Sequence, residues 1–317
     1  MARTRYAPDR GLTARMTATM FLLGLVFVAF IALIIGIGAA THGSTAVIAL
    51  FAIVLGGGML IGSLFYSDKI ALTTAGAREV SPNDGPMARD IHGIVDRICA
   101  LADMPKPRVA IADSPMPNAF ATGRNADHAV ICVTTSIYNK LTPEELEGVL
   151  AHEMSHVAHK DVQVMTIASF LAIIAGLMIR MAFYSELFGG GGRRSGNDQN
   201  AAVMIFVIMA ASIVVYAISF LLIRLLSRYR ELAADRSGAL LTGQPSALKS
   251  ALIKVTGDIA KIPQKDLRTA ESLNAFYFAP AMGFSSGASL SKLFSTHPSL
   301  ERRLAELDKV QRQLSQR

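Results

Sequence analysis

A chain of 317 residues is long enough for one large domain or two modest ones. Its hydrophobic share of 51% and mean hydropathy of +0.39 exceed those of an ordinary soluble protein, and charged residues, at 17%, fall short of the usual quarter. The formal net charge of +7 does not imply a nucleic-acid partner, because Lys and Arg flank apolar runs instead of clustering with aromatic platforms; a lipid bilayer is the expected environment.

The first apolar run, residues 16–40, reads MTATMFLLGLVFVAFIALIIGIGAA. It is too long for a signal-peptide core and shows no convincing cleavage site. The second, residues 44–66, follows after only Thr41, His42 and Gly43, so the two form a helical hairpin. Each exceeds the roughly 20 residues that cross a bilayer. Arg3, Arg5, Arg10 and Arg15 precede the pair, Lys69 and Arg78 follow it, and the turn holds neither Lys nor Arg. The positive-inside rule places both outer ends in the cytoplasm. With no Trp in the chain, Tyr and basic residues must anchor the span ends. Residues 1–67 are read as an N-terminal transmembrane hairpin.

Residues 68–161 have soluble composition and are read as the first part of a cytoplasmic domain. PMARDIHGIVDRICALADM has helical periodicity, while PRVAIAD, PNAFATG and DHAVICVTT look like short strands between turn residues. Cys132, inside AVICV, is expected in the core and Cys99 on a helix; their spacing matches no zinc ribbon or redox motif. Neither implies an oxidising compartment. In TPEELEGVLAHEMSHVAHKD, Thr142 can cap a helix, Pro143 fits its first position and Glu145 closes a capping box.

Residues 162–226 hold two further apolar runs, at 162–184 and 201–226. They are read as a second transmembrane pair joined by a flexible loop, 188–200, on the outer side. Arg193 and Arg194 run against that orientation, whereas Arg180 and Arg224 lie near run ends, where they can snorkel. Residues 227–317 supply the second part of the cytoplasmic domain, with helices near 245–260 and 299–315 joined by NAFYFAPAMGFSSGASLSKLFSTHP. The expected fold is a mainly α membrane protein: four transmembrane helices with a cytoplasmic α+β domain carrying a small β-sheet.

The chemistry centres on LAHEMSHVAHKD. On a helix, His152 and His156 share a face. Zinc accepts neutral imidazole nitrogen and favours four ligands, and Glu153 beside that face could serve as general base. The plainer alternative is a surface helix with two histidines. His159 lies seven residues beyond His152, about 10.5 Å of rise, so it would coordinate poorly and is read as solvated or interfacial. A third ligand is sought in SRYRELAADRSGA. There Glu231 can reach a metal, and Asp235 can accept a hydrogen bond from a ligating imidazole's other nitrogen. Surface acids balancing Arg228, Arg230 and Arg236 are the alternative.

HEMSH, followed after two apolar runs by RELAAD, resembles the HtpX family of integral-membrane zinc metallopeptidases, relatives of the CAAX prenyl endopeptidases. The resemblance covers most of the chain: the hairpin, PNAFATG before the metal helix, the Glu-x-x-Ala-Asp element and a late His-Pro. It implies a zincin-like protease domain holding one Zn2+ on His152, His156 and Glu231, with Glu153 as base. It further implies that Asn118 borders the strand against which substrate lies, that His297 helps the reacting carbonyl, and that Arg303, matching an arginine that follows that histidine, lies on the substrate side. Ser299 stands where a second proline is common, and His159 and Lys160 occupy a variable position before Asp161.

For these secondary residues other readings stay open. Asn118 can form a turn, His297 can precede a helix starting at Pro298, and Arg303 can pair on a helix face. Asp161 can steady the helix near the membrane, with no chemistry assigned. The metal helix is expected to run on from His156 into the third span, with Glu231 about five residues past the fourth. The expected function is zinc-dependent endopeptidase action on polypeptides, membrane proteins above all, at the cytoplasmic face of a bacterial inner membrane, in quality control of misfolded or damaged chains. A catalytically silent zinc-binding scaffold is the alternative, against which intact Glu153 argues. A channel or transporter would need paired acidic and basic residues within its spans, and these are missing.

Overall fold

The computed structural model describes residues 10–41, 45–189, 198–259 and 297–316. Arg3 and Arg5, the hairpin turn at His42 and Gly43, most of the 188–200 loop and the Gly, Ser and Phe-rich segment before His297 lie outside the described residues. The chain forms two compact units. One comprises Met1–Arg15, Leu64–Val164 and Ser227–Arg317, the other Met16–Ser63 and Met165–Leu226.

The second unit is built from the greater part of four long apolar helices: α1 (Arg10–Thr41), α2 (Thr45–Phe65), α7 (Asp161–Gly189) and α8 (Asp198–Thr242), each of which has one end in the first unit. Among the described residues, Arg10–Gly36, Asp161–Met181 and Ile205–Thr242 are each long and apolar enough to cross a membrane. A fourth candidate is the end of α2, which bends by 64° into α3 (Ser67–Ala75). The helices are apolar on all sides: Leu23, Phe30 and Ile34 are buried, while Phe21, Leu25, Val28, Phe206 and Val214 face outward. Water would penalise such a surface and lipid does not.

The first unit holds a four-stranded sheet of order β1-β2-β4-β3, comprising β1 (Ala77–Glu79), β2 (Arg108–Ala112), β3 (Ala119–Thr122) and β4 (Val130–Thr134). The three apolar segments of the sequence form β2, β3 and β4, and the short β1 adds an antiparallel edge. β2 and β4 run parallel, and β3 pairs antiparallel with β4 as the opposite edge. β4 is apolar from Val130 to Val133 because both of its faces are covered. Ile131 and Val133 join the main core, with Ile91 and Ile98 of α4 (Pro86–Ala102) and Leu150 and Met154 of α6 (Pro143–Ala158). Val130 and Cys132 pack with Ala71, Ala110 and Phe120 on the other side, and burial pushes the Cys132 thiol up to about 12. The short α5 (Thr135–Lys140) connects the sheet to α6, and α9 (Pro245–Ile259) and α10 (Leu300–Ser315) close the core through Leu248, Leu252, Leu307 and Val310.

α6 starts as its sequence predicts. Thr142 Oγ1 accepts from Glu145 N–H, Glu145 accepts from Thr142 N–H in return, and Pro143 occupies the first turn. The Glu145 carboxylate also receives Ser250 Oγ at 2.6 Å and Lys254 Nζ at 2.8 Å, fastening the start of α6 to α9. The far end departs from expectation. α6 does not run on into the third span but stops at Ala158, and α7 starts afresh at Asp161. Between them Lys160 takes a left-handed conformation, φ 55°, and its N–H bonds to Val157 O. That conformation ends helices by closing their last carbonyls, and an acidic residue favours the start of the next one.

Burial raises the Glu145 carboxyl, but Lys254, Ser250 and the Thr142 N–H outweigh it and hold the group below its usual range. Glu145→Ala is therefore expected to cost about 1–3 kcal/mol at neutral pH, measured by unfolding in detergent. The contribution is complete above the unfolded value of roughly 4.3 and is lost as pH falls through the lower folded value. The wild-type advantage over Glu145→Gln should accordingly shrink as pH falls below the unfolded value and through the depressed folded one.

Candidate metal centre

Two helices supply the centre. One turn of α6 separates His152 from His156, whose rings meet edge to face with centroids 4.9 Å apart. α8 brings Glu231 opposite them: Oε1 lies 3.5 Å from His156 Nε2, and Oε2 lies 3.9 Å from His152 Nε2. One donor atom from each of the three residues falls within 4.8 Å of the others. Gly238, seven residues on in α8, permits this approach, since a Cβ there would sit only 2.8 Å from His152 N. His159 belongs to no such group of donors among the described residues.

The donor set suits a divalent metal. His152 Nδ1 lies 3.0 Å from Asp235 Oδ1 and His156 Nδ1 lies 2.5 Å from Asp161 Oδ2. An ionised carboxylate only accepts, so each ring carries its proton on Nδ1 and offers the Nε2 lone pair towards Glu231. Imidazole nitrogen with one carboxylate oxygen is a zinc-type donor set.

Asp235 is fully buried, and Arg303 grips it with two hydrogen bonds, Nε to Oδ2 at 2.8 Å and Nη2 to Oδ1 at 2.6 Å. Burial alone would raise the Asp235 carboxyl, but Arg303 and His152 together hold it below the carboxylate range. Glu231 is likewise pulled well down against burial, by His297, Arg303 and His156. Glu153 behaves oppositely. Burial, opposed by His156 and reinforced by Glu231, pushes its carboxyl up to about 7. A carboxyl near neutrality can both take and return a proton at working pH. Its Oε2 accepts from Ala121 N–H of β3 at 3.2 Å.

The sequence-predicted residues do not all lie where they were sought. Arg303, matched to the substrate side, is 1% exposed, with its guanidinium on Asp235 and Nη1 3.8 Å from Glu231 Oε2. The reason is electrostatic: two buried carboxylates draw in the one group that is always cationic. Nor is it a helix-face ion pair. His297, sought at the reacting carbonyl, places Nδ1 3.0 Å from Glu231 Oε2. Asn118 lies just before β3, buried, its N–H donating to Thr134 Oγ1 and its carbonyl accepting from Thr134 N–H. Asp161 had no chemistry assigned, yet it meets His156 and also receives Arg230 Nη2 at 2.8 Å. No spacing rule reveals that contact, because the helix break brings it about.

Residues 87–311 match peptidase family M48. The Protease HtpX homolog 1 of Streptomyces coelicolor is 55% identical over 314 residues, 99% of this chain and 97% of that one. The chain belongs to the HtpX proteases of family M48. A Protease HtpX homolog of Moorella thermoacetica is 47% identical over 99% of both chains, and Protease HtpX homolog 2 of Methanosarcina mazei is 46% identical over 99% of this chain and all of its own. Among solved structures the chain is similar to Ste24p of S. mikatae, with a TM-score of 0.51 and 19% identity over 95% of this chain and 67% of that one, a likeness of fold. This HtpX protease is a membrane metalloprotease acting on polypeptides. Nothing in these similarities favours a silent scaffold.

Arg303→Met would leave two buried carboxylates short of their cation. It is expected to destabilise the metal-free HtpX protease by about 3–5 kcal/mol, read as a lower unfolding midpoint.

Proposed function

We propose that the protein is a zinc-dependent endopeptidase working at the cytoplasmic surface of a bacterial inner membrane, where it removes misfolded or damaged membrane proteins. The observation that carries this reading is the convergence of His152, His156 and Glu231 donor atoms within 4.8 Å, with the Glu153 carboxyl beside them. Three protein ligands with one open position is the pattern of a catalytic zinc site. A zinc ion held there would acidify a water towards neutrality and polarise the scissile carbonyl.

Glu153 takes the proton of the attacking water and passes it to the leaving amine. Its hydrogen bond from Ala121 ties that carboxylate to the edge of the sheet. Successive backbone groups of a strand alternate in direction. Asn118 O bonds towards β4, so Ala119 and Ala121 turn their N–H and C=O groups away from β4, the Ala121 N–H to Glu153 and the others to an edge that pairs with no strand among the described residues. An extended substrate can add there as a further strand, gaining affinity from main-chain bonds with little side-chain selection. Asn118 pins the start of that strand. His297 holds Glu231 towards the imidazoles, and Asp235 and Arg303 serve His152 in the same way.

Four spans, formed by α1, α2, α7 and α8, would carry this chemistry. We read 1–67 and 162–226 as the membrane part and 68–161 with 227–317 as the cytoplasmic protease domain. His156 precedes the apolar part of α7 by a few residues, and Glu231 follows that of α8. Basic residues flanking the first two spans support the orientation. A site so close to both runs meets loops and tails of membrane proteins before it meets bulk cytosol.

In the full-length protein loaded with zinc, Glu153→Gln is expected to lower peptide hydrolysis at least about 100-fold while keeping one zinc per chain. Glu231→Ala should instead lose the metal. Wild-type cleavage by Glu153→Gln would end the proposal. Hydrolysis of unfolded soluble chains, without any of destabilised membrane proteins, would remove the quality-control role.

A further inference from the structure

The two imidazoles are supported alike. His152 Nδ1 meets Asp235, which Arg303 holds from behind. His156 Nδ1 meets Asp161 at 2.5 Å, and Arg230 reaches the same Asp161 oxygen, Oδ2, at 2.8 Å. Each relay has the same order: imidazole, buried aspartate, arginine. We infer that Asp161 is a positioning residue for His156, fixed in turn by Arg230, and that the left-handed Lys160 exists in the fold to bring it there. The inference rests on the reading of His156 as a zinc ligand.

A bland explanation of Asp161 is available, since an acid in the first turn of α7 complements the helix dipole whatever it touches. Such a residue gains nothing from burial. Asp161 is 2% exposed and bonded to a ring five residues before it. In an unbroken helix, five residues amount to roughly 500°, leaving Asp161 about 140° around the axis from His156. The break at His159 and Lys160, with φ 55° at the latter, is what lets the carboxylate fold back under the imidazole.

Bound there, Asp161 keeps the proton on Nδ1, so that the Nε2 lone pair stays directed at Glu231. It also makes that nitrogen more basic. Arg230 immediately precedes Glu231 in α8, so the relay links the segment carrying the second imidazole to the one carrying the carboxylate ligand.

The test uses full-length protein in detergent and three readouts: zinc affinity by chelator competition, the visible spectrum of the cobalt-loaded form, and thermal unfolding without metal. Asp161→Ala is expected to weaken zinc binding 10- to 100-fold and to shift the cobalt spectrum. Asp161→Asn keeps the volume and one acceptor oxygen, so it should fall between Asp161→Ala and wild type on both metal readouts. A role limited to packing predicts wild-type metal behaviour for Asp161→Asn. Wild-type zinc affinity and cobalt spectrum in a folded Asp161→Ala protein overturn the inference. If that variant fails to unfold cooperatively, Asp161→Asn decides alone, and wild-type values there overturn it equally. His156→Ala is the control: if it loses zinc while both Asp161 variants keep it, only this inference fails. If His156→Ala binds zinc as wild type does, the ligand reading beneath it fails.

Discussion

The close crossing of α6 and α8 is the constraint on which the rest depends. Gly238 allows the α8 backbone to come against the amide of His152. Only with that approach do Glu231 and Asp235, about eighty residues away in sequence, reach the two imidazoles. Side chains of this length cannot bridge a looser crossing. The separation between helices therefore sets whether three donors share one point.

Such a crossing buries charge, and burying charge is costly unless every ion is matched. Glu153, Asp161, Glu231 and Asp235 all lie in the interior, and their partners are arranged around them. Arg303 answers Asp235 and Glu231, and Arg230 answers Asp161. Glu153 has no arginine within ion-pair distance among the described residues; it has an amide and the imidazoles. The result is a separation of roles by environment. Carboxylates gripped by arginine stay ionised and can orient or ligate, whereas the one left to desolvation can exchange its proton near neutral pH. The same physics explains why Arg303 lies inside although the sequence suggested an outward role.

The sheet contributes an edge. β4 lies inside the sheet with apolar residues on both faces, and β3 has, among the described residues, no strand on its other side, where Ala121 turns to Glu153. Glu153, the proposed base, and the strand proposed for substrate are thus fixed to each other by a hydrogen bond from the Ala121 N–H. The capping box and the Glu145 ties to α9 hold α6 at its other end. The helix bearing His152 and His156 is restrained at its start, along its face and at its break.

Much of this was legible in the residues because it is local. The apolar runs, the capping box at Thr142, the alternation in the strands and the i, i+4 placement of His152 and His156 depend only on neighbours in sequence, whose spacing the helix or strand period dictates. Glu231 and Asp235 could be nominated by their own spacing, but not their depth or their partners. What the tertiary structure alone decided are the features that turn on distant approach or on a single backbone angle. The stop of α6 at Ala158 is marked by neither Gly nor Pro; it rests on a left-handed lysine that pattern does not announce. The contacts of Asp161 with His156, Arg303 with Asp235 and His297 with Glu231 follow from where buried charge needs an opposite charge. That need exists only once the chain has closed around it.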